Sequence, residues 1–390
     1  MLLGIGYLPR RTGPAFWREY DPGEVQEDLA HIAALGFQAV RVPLFWGDFQ
    51  PSLESISPRA LDRFGGFLET AHDVGLQVTA GLWTGMWDGA LWWPDWGVLP
   101  APLPPNWPLL VNGAWARWGR LRHPFTDQRM LAARQLLIRE LVAAYADHPA
   151  LLGWEPLPGF GRLAAASTRE AVLAWLQTTL EALCAAAKER TCTFLLALDA
   201  LETSTSIWPD DILAAGAQPS LSAATFASDR RRLPLNARWI AFALDLAAAL
   251  AGQPVALHLA GLPTTAPGET STAHDGIYYA SEEDAAAYLA DVIALARQRG
   301  CPALWLWRWA DIAETGWNKP PYDHSPWRRF TGLLRADGVE KRLVQGLQSG
   351  SGREHPVFAI DATAYRADPG VQFYRLWLAY QKLDDRAFRP

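Results

Sequence analysis

Residues 148–160 read HPALLGWEPLPGF, and they hold one carboxylate, Glu155, between Trp154 and Pro156. A carboxylate closing a short apolar run is placed to donate a proton or to attack a carbon, provided a second carboxylate faces it. Other acids near the ends of apolar runs are Asp48, Asp88, Asp95, Asp199, Glu202, Asp229, Glu269, Asp311 and Glu314. A loop cap or a solvated charge accounts for each of these more simply than catalysis does, so they enter only as parts of a rebuilt pair. No Ser/His/Asp spacing, metal-type cluster or phosphate loop competes, and neither a cofactor nor a metal is expected. Cys184, Cys192 and Cys301 are odd in number and lack metal spacing, which predicts buried free thiols.

The second chemical signal is tryptophan, 20 residues in 390. Most fall in loops, outside helical periodicity. Rings so placed either form satellite apolar clusters or offer flat platforms with a polar edge, such as suit the CH face of a pyranose. Trp46, Trp83, Trp87, Trp93, Trp96, Trp307 and Trp309 are the candidate ligand-binding rings; a structural lid is the competing reading.

These residues must be positioned by regular elements. Eight short apolar runs read as buried parallel strands, at 2–7, 37–45, 76–83, 150–155, 192–198, 220–227, 254–260 and 302–307. Helical segments alternate with them, among them 23–36, 126–148, 167–190 and 281–300. Ser57 before Pro58, Thr126 with Asp127, and Ser281 with Glu282 and Glu283 read as N-caps, and Gly36, Gly75 and Gly300 as C-cap glycines. Eight strand–helix units predict an α/β fold of the (β/α)8 TIM-barrel class, a single domain over 1–348 with long Trp-rich loops at the C-terminal face. Residues 349–390 follow a Gly/Ser break and read as an extension packing back on the barrel. A doubly wound sheet is the alternative, but the first strand–helix turn lacks G-x-G-x-x-G.

Half the residues are hydrophobic and 19% are charged, with a net charge of −6. That balance excludes a disordered chain, and without a basic block it argues against nucleic-acid and anionic-membrane partners. The one dense basic stretch, 229–234, reads as a solvated loop. The start, MLLGIGYLPRR, turns polar too soon for a signal peptide, so a soluble, cytoplasmic chain is expected. The oligomeric state is open.

The chain also resembles a family along nearly its whole length. AVRVPLFWGDFQPS on strand two, GLWTGMWDGALWWPDW after strand three, and PALWLWRWADI with the later LRADG resemble the retaining glycoside hydrolases of the (β/α)8 clan, cellulase- and mannanase-like members of family 5 in particular. The resemblance implies that Arg41 lies under the site, where it would orient a nucleophile; a structural ion pair inside the barrel is the competing reading. Arg328 and Lys341–Arg342 depart from the pattern, replacing a usual glutamate and proline. In register with HPALLGWE, the family's acid/base position falls on Gly159. In register with QPVALHLAGLPT, its nucleophile position falls on Leu259, which strand alternation would aim inward and His258 outward. Both catalytic positions thus lack a carboxylate.

Three functions follow from this reading. The first is a pseudo-glycosidase binding a carbohydrate or similar small ligand in a Trp-lined cleft. The second is an active β-mannanase- or β-glucanase-like hydrolase with a displaced pair, which would use Glu155 as its acid. The third is a non-catalytic scaffold.

Overall fold

A computed structural model describes residues 1–102, 105, 107–186, 190–202, 207–224, 234–259, 261–348 and 355–387, except the side chains of 199–200, 348 and 383–387. Eight parallel strands close into one barrel. They are β1 (Leu2–Gly6), β2 (Ala39–Phe45), β3 (Gln77–Thr84), β4 (Leu151–Pro156), β5 (Thr191–Ala197), β6 (Gln218–Ala223), β7 (Ala256–Leu259) and β8 (Ala303–Leu306), and each pairs with its neighbours in sequence, β8 closing on β1. All seven residues of β2 are buried, as expected of strands covered on both faces. The TIM-barrel expectation is met.

Helices wrap the outside: α1 (Pro22–Ala34), α2 (Pro58–Asp73), α3 (Gln128–Leu137), α4 (Arg169–Ala186), α5 (Pro209–Ala214), α6 (Ala237–Ala251) and α7 (Glu282–Gln298). Ser57 caps α2 through Ala60 N, and Ser281 caps α7 through Asp284 N, whose first turn also carries three acids toward the positive dipole end. Gly36, Gly75 and Gly300 lie at positive φ past their helices. At α3 the cap is Asp127 and not Thr126, because one carboxylate oxygen reaches both Arg129 N and Met130 N. The single helix expected over 126–148 is interrupted by a π-turn at Ile138–Val142. β6 starts two residues earlier than expected, and 225–227 lie outside the described residues. Cys192 and Cys301 are buried, whereas Cys184 is exposed on the outer side of α4.

Strand register shows which side chains fill the barrel. Gly4, Trp305, His258 and Ser222 are successive Cα partners across β1, β8, β7 and β6, so their side chains share a face. A Cβ on Gly4 would come within 2.3 Å of the Trp305 ring; glycine is required for that indole to occupy the lumen. Residues 355–382 lie against α6: Trp239 meets Trp377 at 4.8 Å and Phe242 meets Phe373 at 5.4 Å, edge-on in both cases. Among the described residues no helix is long and apolar enough to cross a membrane.

Candidate functional site

At the C-terminal mouth of the barrel lies a cavity of about 240 Å³. This is where barrel sites form. Arg41, Ser222, Trp307 and the start of the β5 exit supply its floor, the β3 loop supplies Met86, Trp87 and Asp88, and the β8 loop supplies Trp327 and Arg328. Trp87 and Trp307 stack with centroids 5.2 Å apart and planes 24° apart. Trp87 is fully buried behind, and half-buried Trp307 is the ring presented to the opening.

Glu155 sits under this cavity, 1% exposed. Arg41 grips it with two parallel hydrogen bonds, Nε to Oε2 and Nη2 to Oε1 (2.8 Å). A carboxylate and a guanidinium removed from water need such a partner, and the fork geometry consumes both acid oxygens. Arg41 also lies 4.9 Å from the Trp87 centroid. The arginine that the resemblance assigns to orienting a nucleophile here holds Glu155 instead.

Position 159, where the resemblance expects an acid, is a glycine with left-handed backbone. Leu157 and Gly159 both have positive φ, +54° and +86°. The turn they make lets the Met86 amide donate to the Pro158 carbonyl at 2.8 Å. A Cβ at position 159 would fall 2.2 Å from Met86 Cβ. The site has no room for a side chain of any kind, carboxylate included.

On β7 the register reverses the expected alternation. His258 shares the lumen face with Ser222 and Trp305, stacking 5.7 Å from the latter. Leu259 pairs with Ala223 and Leu306, which puts it on the opposite face, toward the helices. Neighbouring strands set this parity, and a family alignment does not see it. The residue at 260 lies outside the described residues, but 254–268 contain no Asp or Glu, so no shift of alignment supplies an acid from this strand. Burial first, and the Arg41 charge second, hold His258 well below the ordinary histidine pKa, so its ring is neutral. Its Nε2 has no hydrogen-bond partner among the described residues.

Asp88 is the one carboxylate among the described residues lining the cavity. Its Oδ2 receives hydrogen bonds from Arg308 Nη2 and from the Tyr322 hydroxyl (2.7 Å), while Oδ1 has no partner. Burial opposes the Arg308 charge, but Asp88 and Tyr322 more than offset it and raise the guanidinium pKa. The remaining acids lie elsewhere. Asp48 faces Arg18 at 3.4 Å, and burial pushes it up to about 6. Asp95 caps Trp96 N, and Glu202 accepts from Tyr374 at 3.3 Å. Asp311 is tied to Lys341 at 2.7 Å. Glu269, Asp311 and Glu314 border a separate cavity of about 750 Å³, which shares no lining residue with the barrel mouth. Asp229 and the side chain of Asp199 fall outside the described residues.

Of the candidate rings, only Trp87 and Trp307 line the barrel mouth. Trp46 meets Trp93 and Trp96 edge-on at 5.3 and 5.2 Å, donates to Gln50 Oε1, and with Trp93 borders a void of about 30 Å³. Trp83 packs between Trp46 and Trp175, and Trp309 lies against His31. These five are packing residues in which the ring fills volume, and the structural lid describes them. Sequence reasoning missed Ser222, Trp327, Arg308 and Tyr322. Arg308 carried a usable signal, a charge at the end of an apolar strand.

No protein-family model and no curated protein matches the chain. Solved structures do. An exo-β-1,4-mannosidase from Opitutaceae bacterium strain TAV5 superposes with a TM-score of 0.69 at 20% identity over 89% of this chain, which spans 59% of the mannosidase. GH5_18 from Streptomyces cattleya, in complex with GlcNAc, matches at TM-score 0.71 and 22% identity over 91% of this chain and 82% of its own. GH5_18 from Bifidobacterium longum subsp. longum ATCC 55813 matches at 0.72 and 16%, over 91% and 81%. A variant of the Streptomyces cattleya protein is in complex with Manβ1-4GlcNAc. The chain therefore has the (β/α)8 barrel fold of glycoside hydrolase family 5 structures.

Proposed function

We propose that this barrel binds a carbohydrate at its C-terminal mouth without performing the retaining hydrolysis that the family resemblance implies. The observation that carries the reading is position 159. Retaining hydrolysis needs an acid and a nucleophile about 5–5.5 Å apart. Here the position that the resemblance assigns to the acid has no space for a side chain beside Met86, and 254–268 contain no acid. The stacked pair Trp87–Trp307 remains, with Ser222 as a polar partner for sugar hydroxyls. A pyranose lying on Trp307 would bury its CH face, while the cavity edge satisfies its hydroxyls. The Manβ1-4GlcNAc bound by a Streptomyces cattleya GH5_18 variant makes a β-mannoside the first ligand to try.

A displaced catalytic pair has one observation in its favour, the buried Oδ1 of Asp88 that has no hydrogen-bond partner among the described residues. A single carboxylate cannot serve as both acid and nucleophile, and Glu155 gives both oxygens to Arg41. Titration calorimetry of the protein with Manβ1-4GlcNAc and with longer β-mannosides tests the binding reading. Saturable heat that weakens about 10-fold in affinity in Trp307→Ala supports it. Absence of binding across neutral and acidic glycans removes it.

A further inference from the structure

Among the described residues, the cavity mouth holds a cation with no ion-pair partner. Four charged groups at or just beneath the lining cancel in two pairs: Arg41 with Glu155, and Arg308 with Asp88. Arg328 has no such partner. No carboxylate lies within ion-pair distance of it, and no protein acceptor takes a hydrogen bond from its guanidinium among the described residues. The group is nevertheless held in place. It lies 4.1 Å from the Trp327 ring centroid, and its Nη2 packs so close to Gly89 that a Cβ there would stand 2.3 Å from it. Gly89 has φ +74°, so the close approach is built into the β3 loop turn. Burial lowers the Arg328 pKa and Arg308 lowers it further, while Asp88 works in the opposite direction. A desolvated guanidinium needs anionic or hydrogen-bonding compensation, and a planar fork with free N–H groups fits a carboxylate, phosphate or sulfate oxygen pair.

We propose that the barrel mouth recognises a glycan bearing an anionic substituent, with Arg328 gripping the anion while Trp307 carries the sugar ring. This rests on the carbohydrate-binding reading and specifies the substrate class. Arg328 stands where the resemblance expects a glutamate, so the side chain at that position has reversed its charge. Asp88 does not oppose the anion strongly, because Arg308 and Tyr322 already share its charge at Oδ2. The sugar and the anion together fit the chemistry of a uronic acid or of a sugar sulfate or phosphate.

The test compares matched oligosaccharides by titration calorimetry at 50 and 300 mM salt: neutral β-mannobiose, its mannuronate counterpart, and a sulfated mannoside, with inorganic sulfate and phosphate alone. A charge-assisted bidentate contact predicts about 10–100-fold tighter binding of an acidic sugar than of the neutral one. That advantage should shrink with salt and disappear in Arg328→Gln. Preference for the uronate or for the sulfated sugar identifies which anion is meant. Equal affinity for neutral and acidic sugars overturns the anion inference and leaves the carbohydrate reading standing. Inorganic anions binding as tightly as the acidic sugars also overturn it, since the sugar then adds nothing. No sugar binding of any kind overturns the carbohydrate reading itself. The neutral-versus-acidic comparison uses the unaltered protein, so it decides the matter even if Arg328→Gln fails to fold.

Discussion

Replacing Glu155 with glutamine separates a structural carboxylate from a catalytic one. Glutamine keeps the shape but removes the charge, and it leaves Arg41 buried with one neutral acceptor. The side chains of Arg41 and Glu155 are 4% and 2% exposed, so water cannot take over. Charge centres ~4 Å apart at an effective dielectric of ~20 attract by about 4 kcal/mol. Removing one partner of such a buried pair costs about 3–5 kcal/mol, because an uncompensated charge is left behind. The contact of Arg41 with Trp87 is common to both proteins and does not offset this loss. We therefore expect Glu155→Gln to lose about 3–5 kcal/mol in urea unfolding. The double replacement Arg41→Met with Glu155→Leu should recover most of that loss, since a well-packed apolar pair can equal a buried ion pair. A Glu155→Gln protein as stable as the parent, or a double variant worse than either single one, would refute the pairing argument. If Glu155 were a general acid, the single replacement would remove turnover while sparing stability.

Three further outcomes are expected. Gly159→Glu should destabilise by about 2–5 kcal/mol, from the left-handed backbone and the collision with Met86, and should confer no hydrolysis of an aryl β-mannoside; denaturation midpoints and nitrophenol release check both halves. His258 is neutral in the folded barrel and gains a proton on unfolding below its ordinary pKa of about 6.5. The stability this group contributes is therefore full above that pH and lost as pH falls. The difference in unfolding free energy between the parent and His258→Gln should shrink by about 1.4 kcal/mol per pH unit below about 6.5, read from urea curves between pH 7 and 5. Trp46→Ala should cost about 3–5 kcal/mol of stability without changing sugar affinity, whereas Trp307→Ala should weaken binding about 10-fold with a smaller effect on unfolding; parallel melts and titrations distinguish the two rings.

The barrel was legible because its signals are local and redundant. Apolar runs such as 39–45, caps such as Ser57, and glycines past α1 and α2 each point to the same strand–helix alternation. The absence of acids at position 159 and across 254–268 was also legible, being a matter of residue identity. Three features were not. The facing direction of His258 and Leu259 depends on pairing with β6 and β8, which no single strand encodes. The packing of Trp46, Trp83, Trp93 and Trp96 depends on how the β2 and β3 loops fold together, and that of Trp309 on its contact with His31; tryptophan serves packing and binding equally well. The partner of Arg41 lies 114 residues away on β4. Position 159 shows the gap most clearly: the sequence reveals a missing acid, whereas the backbone at φ +86° against Met86 reveals that the acid has no place to return to.

Binding without turnover is measured on the disaccharide itself. Purified protein at a concentration above its dissociation constant is incubated with Manβ1-4GlcNAc for a day, and the sugar is quantified by chromatography beside the Arg41→Met/Glu155→Leu variant. The account predicts that the disaccharide is bound and recovered intact, with any trace of mannose equal in the two preparations. Release of mannose that scales with the parent protein and is absent from the variant would contradict it.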